Sequence, residues 1–223
     1  MGNTIFNASN IINFFVALGT CAAVIVALFA KKQSSFEATF ALLLAQHNEA
    51  LKNLKNSQDF KEKTHNILNG YNSLNMQNIE LHKNDDFYGS YFRILYHLLK
   101  FIDANAGYHR FDLGRKKTYT SLVRSHLDNE ITFLLAINCA HANKNNQYYN
   151  FKEIIEKYAM LEHLILDRIQ LTKYVPTYVA QSQVKYRNTR LLSDGTLHTI
   201  FDDIVANYKH SAFGTNPLLE NYK

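Results

Sequence analysis

The chain has 223 residues with only 2 prolines, 8 glycines and 2 cysteines, and a formal net charge of +5. So few helix breakers leave long stretches free to coil into helices, and two cysteines exclude a disulfide-framed domain. The longest basic run is Arg115-Lys116-Lys117, which excludes a dedicated nucleic-acid-binding arm and leaves lipid attraction as a use for the positive charge.

The first thirty residues carry no charged side chain, and Ile11 to Ala30 read IINFFVALGTCAAVIVALFA. Twenty residues at about 1.5 Å rise make roughly 30 Å of helix, the thickness of a bilayer's hydrocarbon core. A secretory signal would carry its positive charges ahead of the apolar run. Here Lys31 and Lys32 follow it. A core helix apolar on every face would be unusually long. The segment therefore reads as a transmembrane anchor over residues 1–32, with a cytoplasmic body over 33–210 and a frayed tail over 211–223. By the positive-inside rule the lysines put the N-terminus outside and the body in the cytoplasm. Gly19, Ala23 and Ala27 recur every four residues. They give the anchor a small-residue packing face, so a homo-oligomer is expected beside the lipid bilayer itself as partner.

Beyond the lysines, Phe36, Phe40, Leu43, Leu44, Leu51 and Leu54 keep helical spacing, with Ser34-x-x-Glu37 as a capping box that would restart a helix. Residues 55–85 are Asn-rich and interrupted by Gly70, which predicts a ragged helix or two helical pieces. Phe87 to Ala104 is apolar around most of its circumference, leaving a polar stripe of Arg93, His97 and Lys100. Such a helix must be largely buried. After a loop with Gly107 and Gly114, a long helix is predicted from Lys117 to Ala142. Another is predicted from Asn150 to Thr172, ended by Val175-Pro176. Residues 177–194 are ambiguous, and Leu197 to Tyr208 reads as a last short amphipathic helix. The fold class is all-α, a helical bundle carried on one transmembrane helix.

No phosphate loop, nucleophile elbow, His-Glu-x-x-His or Cys-x-x-Cys occurs. The ten histidines form no i, i+4 pair on a predicted helix, so neither a metal, a cofactor nor a catalytic residue is assigned. A helical ribonuclease of the HEPN type needs Arg, four to six residues, then His. Arg93-Ile-Leu-Tyr-His97 is one residue too short, and Arg190 to His198 is too long. Glu130 shares an otherwise apolar face with Val123, Phe133, Leu134 and Ile137, so it needs a partner, with Arg93 or His126 as candidates. Arg124 and Asp128 form an expected i, i+4 pair. Arg93, His97, Lys100, Arg124 and Glu130 together make the candidate polar cluster.

Four stretches stand in a telling order: Phe40 to Glu49, Tyr91 to Asp103 (YFRILYHLLKFID), Tyr119 to Glu130 (YTSLVRSHLDNE), and Phe151 to Tyr158. Together they resemble the bacterial phage abortive infection family (AbiC-like), over residues 36–165 and in the N-terminal anchor. The resemblance implies an antiphage effector that stays quiet until infection is sensed. The expected mechanism is oligomerisation and impairment of the inner membrane, with a defence-system sensor or a phage component as a further partner and no role for nucleic acid. The alternatives are a membrane-tethered ribonuclease using Arg93, His97 and Glu130, and a non-catalytic adaptor binding a phage or defence partner.

Overall fold

The computed structural model describes residues 8–106, 113–166 and 194–222, which contain helices and turns and no strand. They fall into two compact units, one reaching to Leu42 and the other beginning at Leu43.

In the first unit the apolar run lies in α1 (Ala8–Asn56), a helix of 49 residues whose last turns belong to the second unit. Its apolar part has a mean hydropathy of 2.2 over the most apolar window, none of it buried, and it is long and apolar enough to cross a membrane. Phe14 is 64% and Val26 66% exposed. The expected restart at Ser34 does not occur. Nothing there breaks the helix, so Ser34 and Glu37 sit mid-helix, with Gln33 Nε2 bonded to Glu37 Oε1. A capping box stabilises a helix start only where the backbone has already left the helix.

The Asn-rich stretch forms two pieces, α2 (Phe60–Asn69) and α3 (Leu74–Lys83). Gly70 marks the break: a Cβ there would lie 2.4 Å from the Asn66 carbonyl oxygen. Ser73 then caps α3 by accepting from the Met76 amide at 3.3 Å. Helix α4 (Asp85–Asn105) is the expected buried helix, with Leu95, Leu98, Leu99 and Ile102 fully buried.

The helix predicted over 117–142 is two helices, α5 (Leu113–Arg124) and α6 (Asn129–Cys139). Ser125 Oγ donates to the Leu122 carbonyl at 2.7 Å, and Asp128 Oδ1 accepts from the Ile131 amide at 3.1 Å. Local side-chain bonds thus end one helix and cap the next, overriding the apolar period. Gly114 lies inside α5 rather than in a loop, while Gly107 lies outside the described residues.

Residues 131–140 are all buried, as an all-round apolar helix requires. The last four carbonyls of a helix lack intrahelical partners, and buried ones must find others. Tyr208 Oη donates to the Ala136 carbonyl at 2.7 Å, and Asn78 Nδ2 to that of Ile137 at 2.7 Å. His82 Nε2 lies 3.2 Å from the Asn138 carbonyl, and just past the helix end Lys152 Nζ reaches the Ala140 carbonyl at 2.8 Å. Side chains from three other segments therefore close the C-terminus of α6.

Helix α7 (Tyr149–Lys157) stops well short of the predicted Thr172 because Ala159 adopts φ 53°. That left-handed residue costs about 1–2 kcal/mol for a side chain with a Cβ. Arg124 offsets the cost by donating to the Tyr158 and Ala159 carbonyls at 3.3 and 2.8 Å. Residues 167–193, with Val175-Pro176 and the ambiguous stretch, lie outside the described residues.

The last helix, α8 (Asp194–Asn207), is followed by short 3-10 helices at His210–Phe213 and Pro217–Tyr222. Phe201 packs on Phe133 with ring centroids 5.6 Å apart. The expected frayed tail is instead built into the core. Ala212 and Phe213 are fully buried, the Leu161 amide donates to the Ala212 carbonyl at 2.9 Å, and Asn216 Nδ2 donates to that of Leu164 at 2.7 Å.

Buried imidazoles set a pH response, His47 and His65 among them. His65 is 5% exposed, and burial holds its imidazole below the usual histidine range. The folded state then resists protonation that the unfolded chain accepts. Stability is full above the unfolded value of about 6.5 and is lost as pH falls from there towards the folded value. Thermal melting should therefore drop between pH 7 and pH 5, and His65→Gln should remove its share of the drop, leaving that of His47. An unchanged slope in that variant would contradict the assignment.

Candidate functional site

The polar stripe of α4 is exposed as its spacing requires, and its members have separate partners. Arg93 Nη1 donates to Asp85 Oδ2 at 3.1 Å, two helical turns back. Gly89 makes that reach feasible, since a Cβ there would lie 2.1 Å from Asp85 Oδ1. Lys100 Nζ sits 5.6 Å from the Tyr96 ring centroid, a cation–π contact. His97 is exposed beside Tyr96, with ring centroids 5.4 Å apart.

Two cavities flank this stripe along the seam between α4 and α7. The smaller, about 280 Å³, is lined by Asp85, Gly89, Arg93 and Tyr96 of α4, by Asn138, and by Tyr148 and Phe151. The larger, about 550 Å³, includes Tyr96, Lys100, Asp103, Glu156, Lys157 and Lys209. Tyr96 is the wall they share. Charges around the larger cavity are mostly spoken for: Lys157 pairs with Asp103 at 2.6 Å and Lys209 with Glu156 at 2.8 Å. Asp103 also accepts from the Tyr158 hydroxyl. Burial pushes the Asp103 carboxyl up, but the hydrogen bonds from Lys157 and Tyr158, with the charges of Lys157 and Lys116, hold it below its ordinary range. Its role is to tie α4 to the end of α7.

The other two expected cluster residues lie in different surroundings. Arg124 pairs with Glu162 at 2.5 Å, the two side chains 12% and 19% exposed. Glu162 also accepts from the Thr215 amide at 3.0 Å and hydroxyl at 2.6 Å. Burial raises the Glu162 carboxyl, and the Thr215 bonds with Arg124 more than reverse that. Gly214, at φ 52°, gives the turn its room, because a Cβ there would lie 2.8 Å from the Glu162 carboxylate. Glu130 stands in the first turn of α6, half-buried, with its charge felt by Lys55 and Tyr88. The expected Arg93–Glu130 pair is replaced by Arg93–Asp85. The Arg124–Asp128 pair is replaced by Arg124–Glu162 and Lys55–Asp128, because the break at 125–128 turns Asp128 away from Arg124.

Arg93, Tyr96 and Lys100 thus share the α4–α7 seam, whereas Arg124 serves the architecture and Glu130 stands apart in the first turn of α6. Sequence reasoning missed Asp85, Tyr96, Tyr148 and Glu162. Only Asp85 carried a signal, an acid with a glycine one turn on. Among the described residues no three His, Cys, Asp or Glu side chains converge as metal ligands.

An all-α domain bearing one helix long enough to cross a membrane is the class this geometry defines. Residues 83–169, from the end of α3 through α7, match the family model described as putative phage abortive infection protein, which bears out the family resemblance and supports a role in phage abortive infection. The match leaves out residues 36–82, where the resemblance had also been read. No curated protein and no solved structure matches the chain.

Removing Glu162 would leave the Arg124 guanidinium largely buried without its counter-charge. Glu162→Ala should destabilise the fold by about 3 kcal/mol, the low end for a broken buried pair because water still reaches this one. Glu130→Ala and Arg93→Ala should each stay within about 1 kcal/mol, as exposed pairs and first-turn acids do. Denaturant unfolding of the three variants checks the order, and a larger loss at Glu130 would restore the original pairing.

Proposed function

We propose that this protein is an antiphage defence effector of abortive-infection type that acts at the bacterial inner membrane. In this reading α1 crosses the bilayer once, with the N-terminus outside and the helical body in the cytoplasm. On infection, copies associate through the anchor and impair the membrane. The carrying observation is that the apolar segment of α1 is long enough to span and has none of its most apolar window buried. Each large apolar side chain left in water forgoes about 1.5–3 kcal/mol that an apolar surrounding supplies. Lipid supplies that surrounding, and Lys31 and Lys32 support the orientation.

Association rests on Gly19, Ala23 and Ala27. All three are exposed, and a Cβ at Gly19 would meet nothing within 4 Å. Small residues on one face let a second backbone approach closely. The ribonuclease alternative loses support from the geometry, since Arg93 pairs with Asp85 and Glu130 stands elsewhere.

Gly19→Ile with Ala23→Ile should insert and express normally yet lose protection in plaque assays, because bulk holds two anchors apart. Replacing the anchor by an unrelated monomeric membrane helix should abolish protection too. Full protection by that chimera would sink the membrane mechanism and favour the tethered ribonuclease or the adaptor, for which a tether only has to hold. Orientation has its own check: a phosphatase fused after Lys32 should be silent, and periplasmic activity there would overturn the topology.

A further inference from the structure

The smaller cavity on the α4–α7 seam carries a chemistry that the membrane mechanism does not use. Its volume of about 280 Å³ lies just below the usual range of ligand sites, about 300–1,000 Å³. Four aromatic rings wall it: Phe92, Tyr96, Tyr148 and Phe151. Tyr96 and Phe151 meet at 5.2 Å, and Tyr148 is fixed by stacking on His82 at 4.6 Å with planes 12° apart.

His82 does a second job. Its Nε2 lies 3.2 Å from both the Asn138 carbonyl oxygen and Asn138 Oδ1. The backbone carbonyl is an acceptor only, so that nitrogen carries the proton, and an amide oxygen at the near end of Asn138 is assigned to match it. The other end, Nδ2, has two hydrogens. The acceptor it meets is Cys139 Sγ at 3.6 Å, and a sulfur is a weak one. Asn138 is 4% exposed and lines the cavity. A buried amide donor so poorly matched is destabilising unless something else accepts from it. At the rim, Arg93 has one N–H bond to Asp85 and keeps its other donors for an anion.

Aromatic walls, one buried donor and, at the rim, the Arg93 guanidinium paired with the Asp85 carboxylate select among small molecules. A sugar needs many hydrogen bonds at its own depth, a lipid chain leaves the Asn138 donor unmet, and a simple anion makes no use of the rings. The geometry points to a purine nucleotide as the ligand of this cavity, its ring packed against the aromatic side chains and accepting from Asn138 Nδ2, its phosphate held by Arg93.

Isothermal titration of the full chain in detergent micelles tests this with AMP, GMP, adenosine, guanosine and inorganic pyrophosphate. Saturable binding of the nucleotides is expected, weaker binding of the nucleosides, and still weaker binding of pyrophosphate. Tyr148→Ala should weaken nucleotide and nucleoside alike by about tenfold or more, the usual effect of losing a stacking ring. Arg93→Ala, at a position 63% exposed and so safe for folding, should weaken nucleotides about tenfold and leave nucleosides unchanged. No saturable nucleotide binding would overturn the assignment. So would pyrophosphate binding as tightly as AMP, or affinity unmoved by Tyr148→Ala. Titration involves no membrane event, so its failure and failure of the membrane mechanism are separately readable.

Discussion

The fold turns on one constraint: helix α6 is buried on every side, so its terminal carbonyls cannot reach water. The Cys139 carbonyl is met locally by the Ala142 amide at 3.1 Å, and the others are met by donors brought from elsewhere in the chain. Asn78 and His82 come from α3, Lys152 from α7 and Tyr208 from just past α8. Those four side chains fix where three other segments sit. An apolar helix alone would tolerate several packings of similar area, whereas unmet carbonyls make most of them costly. The polar bonds select one arrangement, and the aromatic cleft beside Asn138 follows from it.

A second, smaller node does the same around Arg124. Arg124 closes the carbonyl end of α7 and pairs with Glu162, which in turn holds Thr215. Through it the C-terminal segment becomes part of the core. Both nodes use long-range polar contacts between residues that look unremarkable in isolation.

That explains what was legible in the sequence. The apolar run in α1 and the buried helix α4 follow from periodicity and composition, which act locally, and the all-α class follows with them. The break at 125–128 was hidden because Ser125 and Asp128 compete with an apolar period that continues across them. The early end of α7 was hidden because Ala159 has no intrinsic preference for φ 53° and depends on a distant arginine. Arg93 and Lys100 were visible as a stripe, but Arg93's partner was not, since an Asp85 eight residues away reaches it only over Gly89. Arg124 and Glu130 looked like members of the same cluster because two separate helices read as one.

The chain joins two different solvents' worth of chemistry: a helix whose apolar surface suits lipid and a water-facing helical body matching the abortive infection family over residues 83–169. Action at the membrane is the central claim. It is tested most directly by following membrane potential, entry of an impermeant dye and integrity of total RNA together in infected cells that express the protein. Depolarisation and dye entry while RNA remains intact is the predicted result. RNA cleavage in cells whose membranes stay polarised and sealed would contradict it.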